Sequence, residues 1–299
     1  HSVVRNMYRY REGVCLLLNL QESGCYYEIT PDESQKALRN LWKEIERFQT
    51  CDIVYCFGEE RHPMTAADCA FFLTAENGLP VQDEKGSFVL DEEAVTAYVQ
   101  SLAEEYDGYG RTRQFHSTRG DVITIDGGTY GSKMDRKKET AYLLEHLLDP
   151  GVHTGTPQSH IPSYEREAFC YGKNDIGDTY IEVDMTEQKM YYYEKGVLKL
   201  ETEIVTGNMR RRMGTPEGVN FVYNKQKNRV LRGPGYASPV KFWMPVKGGI
   251  GIHDAGWRKE FGGDIYQTAG SHGCINTPKD KMEELFDCVQ IGTPVVMFY

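Results

Sequence analysis

The period of the apolar positions changes about halfway along the chain. In DESQKALRNLWKEIERF, residues 32 to 48, Leu38, Leu41, Trp42, Ile45 and Phe48 recur at helical spacing, which predicts a packing helix with one apolar face. LDEEAVTAYVQSLAEEY repeats the pattern: Ala94, Val95, Tyr98 and Leu102 form the stripe, Asp91 is placed to cap the first turn, and GYGR stops the helix. Val122, Ile123 and Ile125 read as a strand running into the turn DGGTYG, and a third helix is predicted over 135–148. The first half is therefore α+β.

From 149 to 176 the chain is rich in Gly, Pro and polar residues and has no clear period, so a domain boundary is placed there. Beyond it, DTYIEVDM, KMYYYEKG, KLETEIVTG, VNFVYN, VKFWMP and PVVMFY are short strand candidates separated by Gly, Asn and Pro turns. One helix stands out at 278–290, with Thr277 as its N-cap, Pro278 at the first helical position, and Met282, Leu285, Phe286 and Val289 facing inward. The expected fold is multidomain: an α+β N-terminal domain, then a mostly-β, sandwich-like domain with one helix following the loop SHGCIN.

A chain of 299 residues is long enough for two domains, and 40% hydrophobic content with 20 tyrosines is that of a folded protein. A net charge of -10 repels nucleic acid and anionic lipid. The runs RKK and RRR are too short to reverse that locally, so no nucleic-acid partner is expected. VCLLLNL, residues 14 to 20, is far shorter than the roughly 20 apolar residues that span a bilayer. Because His1 is not a natural start, a signal or membrane anchor is expected upstream.

Eight cysteines, at 15, 25, 51, 56, 69, 170, 274 and 288, include no CxxC pair, which argues against a zinc ribbon and a dense disulfide scaffold. Most are expected to be buried as small hydrophobes, with Cys51 and Cys56 the pair considered for a bridge. Cys274 differs in its neighbourhood, SHGCIN, where a thiol, an imidazole and a glycine crowd together ahead of a helix. A neighbouring imidazole or a helix N-terminus lowers a thiol's pKa and makes it nucleophilic. Gly273 permits a tight bend that would aim successive N–H groups near Gly273 and Cys274 at one developing oxyanion. Two imidazoles are candidate bases, His272 and His253, the latter in GGIGIHDAGW beside Asp254, and sequence spacing does not choose between them. The bland readings are a core cysteine, or a zinc site of His253, His272 and Cys274; the single residue between His272 and Cys274 is unlike structural zinc spacings. His62, His116, His146, His153 and His160 have no such neighbourhood.

The pattern H-x17-SHGCIN, from His253 to Asn276, resembles the signature of the L,D-transpeptidase family with the YkuD-type catalytic domain. YIEVDMTEQKMYYYEKG, IVTGN, GTPEG, FWMP and GTPVV occur in that family's order, so the resemblance covers roughly 178–299. DEEAVTAYVQSLAEEY, Phe115 and GGTYGSKMD are similar to the peptidoglycan-binding domain that precedes the catalytic domain in many such proteins. The expected division is 1–49 unassigned (the end of a preceding repeat being one reading), 50–148 peptidoglycan-binding, 149–176 linker and 177–299 catalytic.

The resemblance implies a cysteine acyltransferase of peptidoglycan and cell-wall biogenesis, with a role in cell shape. Cys274 attacks the third residue of a donor tetrapeptide stem, releases D-Ala, and passes the acyl group to an amine of an acceptor stem, giving a 3→3 cross-link. Water as acceptor would make the enzyme an L,D-carboxypeptidase instead. A wall-binding protein with a dead catalytic domain is disfavoured by the intact motif. The resemblance assigns the base to His253, oriented by the carbonyl of Asp254. It lines the oxyanion pocket with His272, Gly273 and Cys274, and holds the loop through Ser271. Trp257 and Asn276 contact or shape the substrate site, and Trp243, Met244 and Tyr236 are walls or lid for the donor stem. It implies no cofactor and no metal, inhibition by carbapenems, and an extracytoplasmic location.

Overall fold

The computed structural model describes residues 32–233 and 236–299, together with the backbone alone at 8–11, 14–17 and Tyr236. The chain forms two compact units, 1–48 and 49–299. In the first, strands β1 (Tyr8–Arg11) and β2 (Val14–Leu17) pair antiparallel and helix α1 (Glu33–Phe48) follows. The stripe predicted for α1 exists, but it is not a fully packed face: Phe48 is buried, while Leu38 and Trp42 are exposed. Trp42 donates its indole N–H to Glu46 one turn along the helix, 2.6 Å.

The second unit begins with a hairpin of β3 (Ile53–Phe57) and β4 (Glu60–Pro63), then α2 (Ala66–Phe71), the small hairpin β5 (Ala75–Glu76) and β6 (Leu79–Pro80), and α3 (Glu92–Tyr106). Asp91 caps α3 as expected, accepting from the N–H groups of Glu93 and Ala94 at 3.0 Å each. The buried stripe is Val95, Val99, Leu102 and Tyr106, and Tyr106 stacks flat on Phe57 with ring centroids 3.8 Å apart. The hairpin β7 (Arg113–His116) and β8 (Val122–Ile125), strand β9 (Lys133–Met134) and helix α4 (Arg136–His146) complete this half.

Residues 149–176, expected to form a linker, are built into that half. β10 (Gln158–His160) adds in parallel to β3, β11 (Tyr164–Arg166) pairs with β9, and the Asp52 carboxylate accepts the N–H groups of Thr154 and Gly155 at 2.7 and 2.8 Å. Strands of three residues are too short to show a period, which is why the segment reads as loop in the sequence.

The last 120 residues hold two sheets. Strands β12 (Tyr180–Asp184), β13 (Lys189–Glu194), β14 (Val197–Glu203), β15 (Gly218–Phe221) and β20 (Pro294–Phe298) form one, in the order β14-β13-β12-β20-β15. The other, in order β16-β17-β18-β19, comprises β16 (Gln226–Gly233), β17 (Tyr236–Lys247), β18 (Ile250–Asp254) and β19 (Ile275–Thr277), with α5 (Ile265–Ala269) in the β18–β19 connection and α6 (Lys279–Cys288) after β19. Ile181, Val183, Met190, Val295 and Met297 of the first sheet meet Phe242, Met244, Ile252 and Ile275 of the second, and α6 closes the layer with Met282, Leu285 and Phe286. The expected sandwich and the helix's inward stripe are both present. The cap differs: Thr277 stays in β19 and Pro278, extended at ψ 141°, precedes the helix with no side-chain cap bond.

Strand β20 explains why PVVMF lacks alternation. Val295 and Met297 face the sandwich core, whereas Val296 and Phe298 face Phe115 and Ile125 of the β7–β8 hairpin. A strand buried on both faces reads as a continuous apolar run. The hairpin is joined to this sheet by the DGGTYG turn, where the N–H groups of Thr129 and Tyr130 both donate to Val219 O at 3.0 Å. Gly128 has φ +98°, and a Cβ there would lie 1.9 Å from Val219 O, so only glycine permits the approach.

Among the cysteines, 51, 56, 69, 170, 274 and 288 are free thiols. Only Cys56 and Cys69 are buried. Cys51 hydrogen-bonds Cys69 rather than bridging to Cys56. The side chains of Cys15 and Cys25 lie outside the described residues.

Candidate active site

Register across three strands assembles the site. Trp243 of β17 stands opposite His253 of β18, which stands beside Asn276 of β19. Their neighbours Met244, Ile252 and Ile275 point the other way, into the core. Met244, expected as a wall of the substrate site, is thus a core residue, and of the adjacent pair alternation puts Trp243 on the site face. Cys274 lies just ahead of β19, two positions from Asn276 and so on the His253 side.

The loop that carries the thiol is pinned from within. Ser271 is buried; its N–H donates to Thr206 O and its carbonyl accepts from Asn208 N–H, both at 2.9 Å. Ser271 Oγ donates to Cys274 O at 2.5 Å and accepts the N–H of Gly273 at 3.0 Å. Gly273 has φ +109°, which lets the chain reverse beneath the thiol. Because its N–H is held by Ser271, Gly273 contributes the bend and not the oxyanion donor expected of it. Thr215 secures the same turn from another strand connection, donating to Gly273 O at 2.8 Å and accepting from Gly207 N–H at 2.9 Å.

His253 is 4% exposed, and its Nδ1 lies 2.9 Å from Asp254 O. A carbonyl only accepts, so Nδ1 carries the hydrogen and Nε2 holds the free lone pair. Burial pushes the imidazole below its ordinary pKa, against the opposing pull of the Asp254 carbonyl. The Asp254 carboxylate is turned away from the thiol and accepts the N–H of Phe242 at 2.7 Å. Burial also pushes the Cys274 thiol up, with a hydrogen bond from the Gly251 backbone opposing it, and Sγ lies 3.8 Å from Gly249 O. The lowered thiol pKa expected from the sequence is therefore reversed. The strand Ile275–Thr277 and Pro278 separate the sulfur from the first turn of α6, and desolvation dominates. Desolvation thus favours the uncharged form of both groups.

Two hollows meet at Cys274. A cavity of about 190 Å³ is lined by His253, Trp257, Arg258, Ser271, His272, Cys274 and Asn276 among others, so six of the predicted residues share it. His272 is exposed at its edge, and Trp257 is half open to solvent, its ring 5.9 Å from that of His253. A second cavity of about 370 Å³, lined by Tyr223, Arg229, Arg232, Trp243, Gly249 and Cys274 among others, also reaches Cys274. The side chain of Tyr236 lies outside the described residues. Sequence reasoning missed Thr215 and Arg258: the first sits in GTPEG and the second directly follows Trp257, and both were legible only as neighbours of residues already chosen. Among the described residues no group of three His, Cys, Asp or Glu is arranged to hold a metal ion.

A two-sheet domain with an imidazole on one strand and a thiol in the loop that leads into the adjacent parallel strand, both lining one cavity, defines the class. The family described as the L,D-transpeptidase catalytic domain matches residues 178–297, and the one described as "Putative peptidoglycan binding domain" matches 75–151. The crystal structure of the Enterococcus faecium L,D-transpeptidase C442S mutant is 35% identical, covers 87% of this chain and 100% of its own, and superposes with a TM-score of 0.74. The Ldtfm–avibactam carbamoyl enzyme is likewise 35% identical, covers 88% of this chain and 99% of its own, also at TM-score 0.74. No curated protein matches the chain. This chain belongs to the L,D-transpeptidase family.

Proposed function

We propose that the protein is a peptidoglycan L,D-transpeptidase that forms 3→3 cross-links through a Cys274 thioester. The observation that carries the reading is the shared cavity of a thiol and an imidazole whose tautomer leaves Nε2 free. His253 Nε2 takes the thiol proton as sulfur attacks the carbonyl of the third stem residue. Because burial favours the uncharged form of both groups, proton transfer accompanies attack in this reading. The oxyanion forms against the backbone at Cys274, and His272 flanks it. The amide bond to D-Ala breaks, the imidazolium returns the proton to the departing nitrogen, and the acyl group stays on sulfur. An amine of an acceptor stem then attacks the thioester, giving its proton to His253 while the thiol is restored.

A second cavity on the same sulfur favours transfer over hydrolysis, since two stems can approach one thioester through the two hollows and exclude water. The L,D-carboxypeptidase alternative lacks a use for it. Trp243 and Trp257 supply flat walls to the two hollows and Asn276 a polar one. The substrate lies outside the cytoplasmic membrane, so the protein acts extracytoplasmically, with glycan binding assigned to the 75–151 region. No helix of the described residues is long and apolar enough to cross a membrane.

A strained lactam carbonyl mimics the scissile amide, so a carbapenem acylates Cys274. Intact mass spectrometry tests this: the adduct forms on the wild type and is absent from Cys274→Ala, and an adduct that persists on the variant refutes the assignment. Incubation with tetrapeptide stems gives cross-linked dimers if the enzyme is a transpeptidase and tripeptides alone if it is a carboxypeptidase.

A further inference from the structure

Two polar atoms of residues that line the cavity on the His253 side of Cys274 have no hydrogen-bond partner. One is Oδ1 of Asn276, a side chain 2% exposed; the other is the buried Nε of Arg258. Both residues line the same hollow as the thiol. Buried polar groups in folded proteins are paired as a rule, so an orphan acceptor and an orphan donor on residues of one hollow suit a ligand that has both. Arg258 keeps one bond, from Nη2 to Ala269 O at 2.8 Å, which ties the guanidinium to the end of α5. Burial is the one influence on its titration, and no carboxylate offsets it. The wall thus combines an unmatched cation with an unmatched acceptor.

A ligand complementary to that wall carries an anion and an N–H a few bonds apart, as the C-terminal residue of a peptide does. We propose that Arg258 and Asn276 read the terminal residue of the donor stem, the guanidinium binding its free α-carboxylate and Asn276 Oδ1 accepting the N–H of the bond to be cut. Position agrees with chemistry. The departing nitrogen must receive its proton from His253, which lines this cavity and not the one on the Trp243 side, so the leaving residue belongs here. Planar donors on arginine pair with a carboxylate at two points, which fixes the terminal residue relative to the sulfur. Arg258 is on this account a specificity residue that selects stems ending in a free acid. The proposal rests on the transpeptidase reading above.

The test compares tetrapeptide stems ending in D-alanine with the same stems ending in D-alaninamide, using wild type, Arg258→Gln and Arg258→Lys. Wild type prefers the free acid by about tenfold or more in kcat/KM, the scale of one charge-assisted bond. Arg258→Gln loses that preference, mainly through KM on the acid, with little change on the amide; Arg258→Lys recovers part of it. A purely structural role, or one exerted through the charge of His253, lowers both substrates equally and overturns the proposal. So does a wild type that turns both over alike. Alkylation of Cys274 by iodoacetamide at the wild-type rate shows that a variant's site is intact. Competition on the wild type alone gives a second measure: D-alanine slows acylation more than D-alaninamide does, and equal inhibition sinks the idea. Failure of the wild type to release the terminal residue from either stem instead brings down the transpeptidase reading itself, and this proposal with it.

Discussion

Two buried polar regions of the second unit are built on opposite rules. At the junction between the β7–β8 hairpin and the outer face of the β12–β20 sheet, charges are matched. Arg113 grips Asp175 through Nε and Nη2 at 2.8 and 2.5 Å with both side chains almost wholly buried, and Arg119 reaches both oxygens of Asp184 and the terminal Tyr299 carbonyl. At the cleft, some of the bonds are withheld. Asn276 and Arg258 each keep an unpaired atom, and burial pushes the thiol's pKa up and the imidazole's down. The contrast separates polar groups that specify how the halves dock from groups kept open for substrate, and it lets each region be perturbed without the other.

The largest effect belongs to the cleft. His253→Ala removes the acceptor of the thiol proton and is expected to slow carbapenem acylation by about 10²- to 10⁴-fold, the usual scale of general-base catalysis. His272→Ala, at the exposed edge, costs much less. Equal losses in stopped-flow acylation would undermine the separate roles. Chemical denaturation midpoints of both variants should stay close to wild type.

Next comes the junction. Asp175→Ala leaves Arg113 charged and buried with no carboxylate, at a cost of about 3–5 kcal/mol. Urea denaturation measures it, and below the transition the alkylation rate of Cys274 should be unchanged. A variant that kept its stability would show that the buried pair is not what holds the hairpin and the 149–176 segment together.

The resting state of the thiol is the third target. With burial raising Cys274, its reaction with iodoacetamide should climb with pH toward and beyond the ordinary thiol range near 9.0. A plateau already reached near neutral pH would mean a thiolate–imidazolium pair and would remove the distinction drawn between withheld and matched charge.

What the sequence disclosed follows the same division. Elements with a period were legible: the α3 stripe with its Asp91 cap, the inward face of α6, and the strands flanking the motif. Cys274 stood out by its neighbourhood SHGCIN, whereas His253 was separated from His272 only by the family resemblance. The docking of the hairpin was not legible, because Phe115, Ile125, Val219, Val296 and Phe298 come from four strands far apart in the chain and no local pattern links them. The direction of the thiol's pKa was hidden for a related reason. It depends on desolvation by the whole fold, whereas the sequence displayed only the histidine and the helix nearby. Arg258 gave no signal of its own, since an arginine after a tryptophan is unremarkable until its Nε is found without a partner.

The smallest predicted effect tests whether the junction's rule is pairing as such or the presence of a counter-charge. Glu182, fully buried on β12, is held by neutral donors, its oxygens accepting from Thr118 N–H at 2.8 Å and Thr118 Oγ1 at 2.6 Å. Burial is the leading influence and raises its pKa above the usual 4.5 despite those bonds. A carboxyl whose folded pKa is raised binds its proton more tightly folded than unfolded. Its contribution to stability is therefore full at acid pH and falls as pH rises from about 4.5 through the folded value. Glu182→Gln keeps an acceptor for Thr118 and removes the need to ionise. It is expected to change stability by less than about 1 kcal/mol at neutral pH, in the stabilising direction, with the advantage shrinking toward pH 4.5. Paired denaturation curves at the two pH values read this out. If the variant instead loses stability at neutral pH and less at acid pH, the ionised form is the one the fold favours, and the junction matches charge at Glu182 as well as at Asp175 and Asp184.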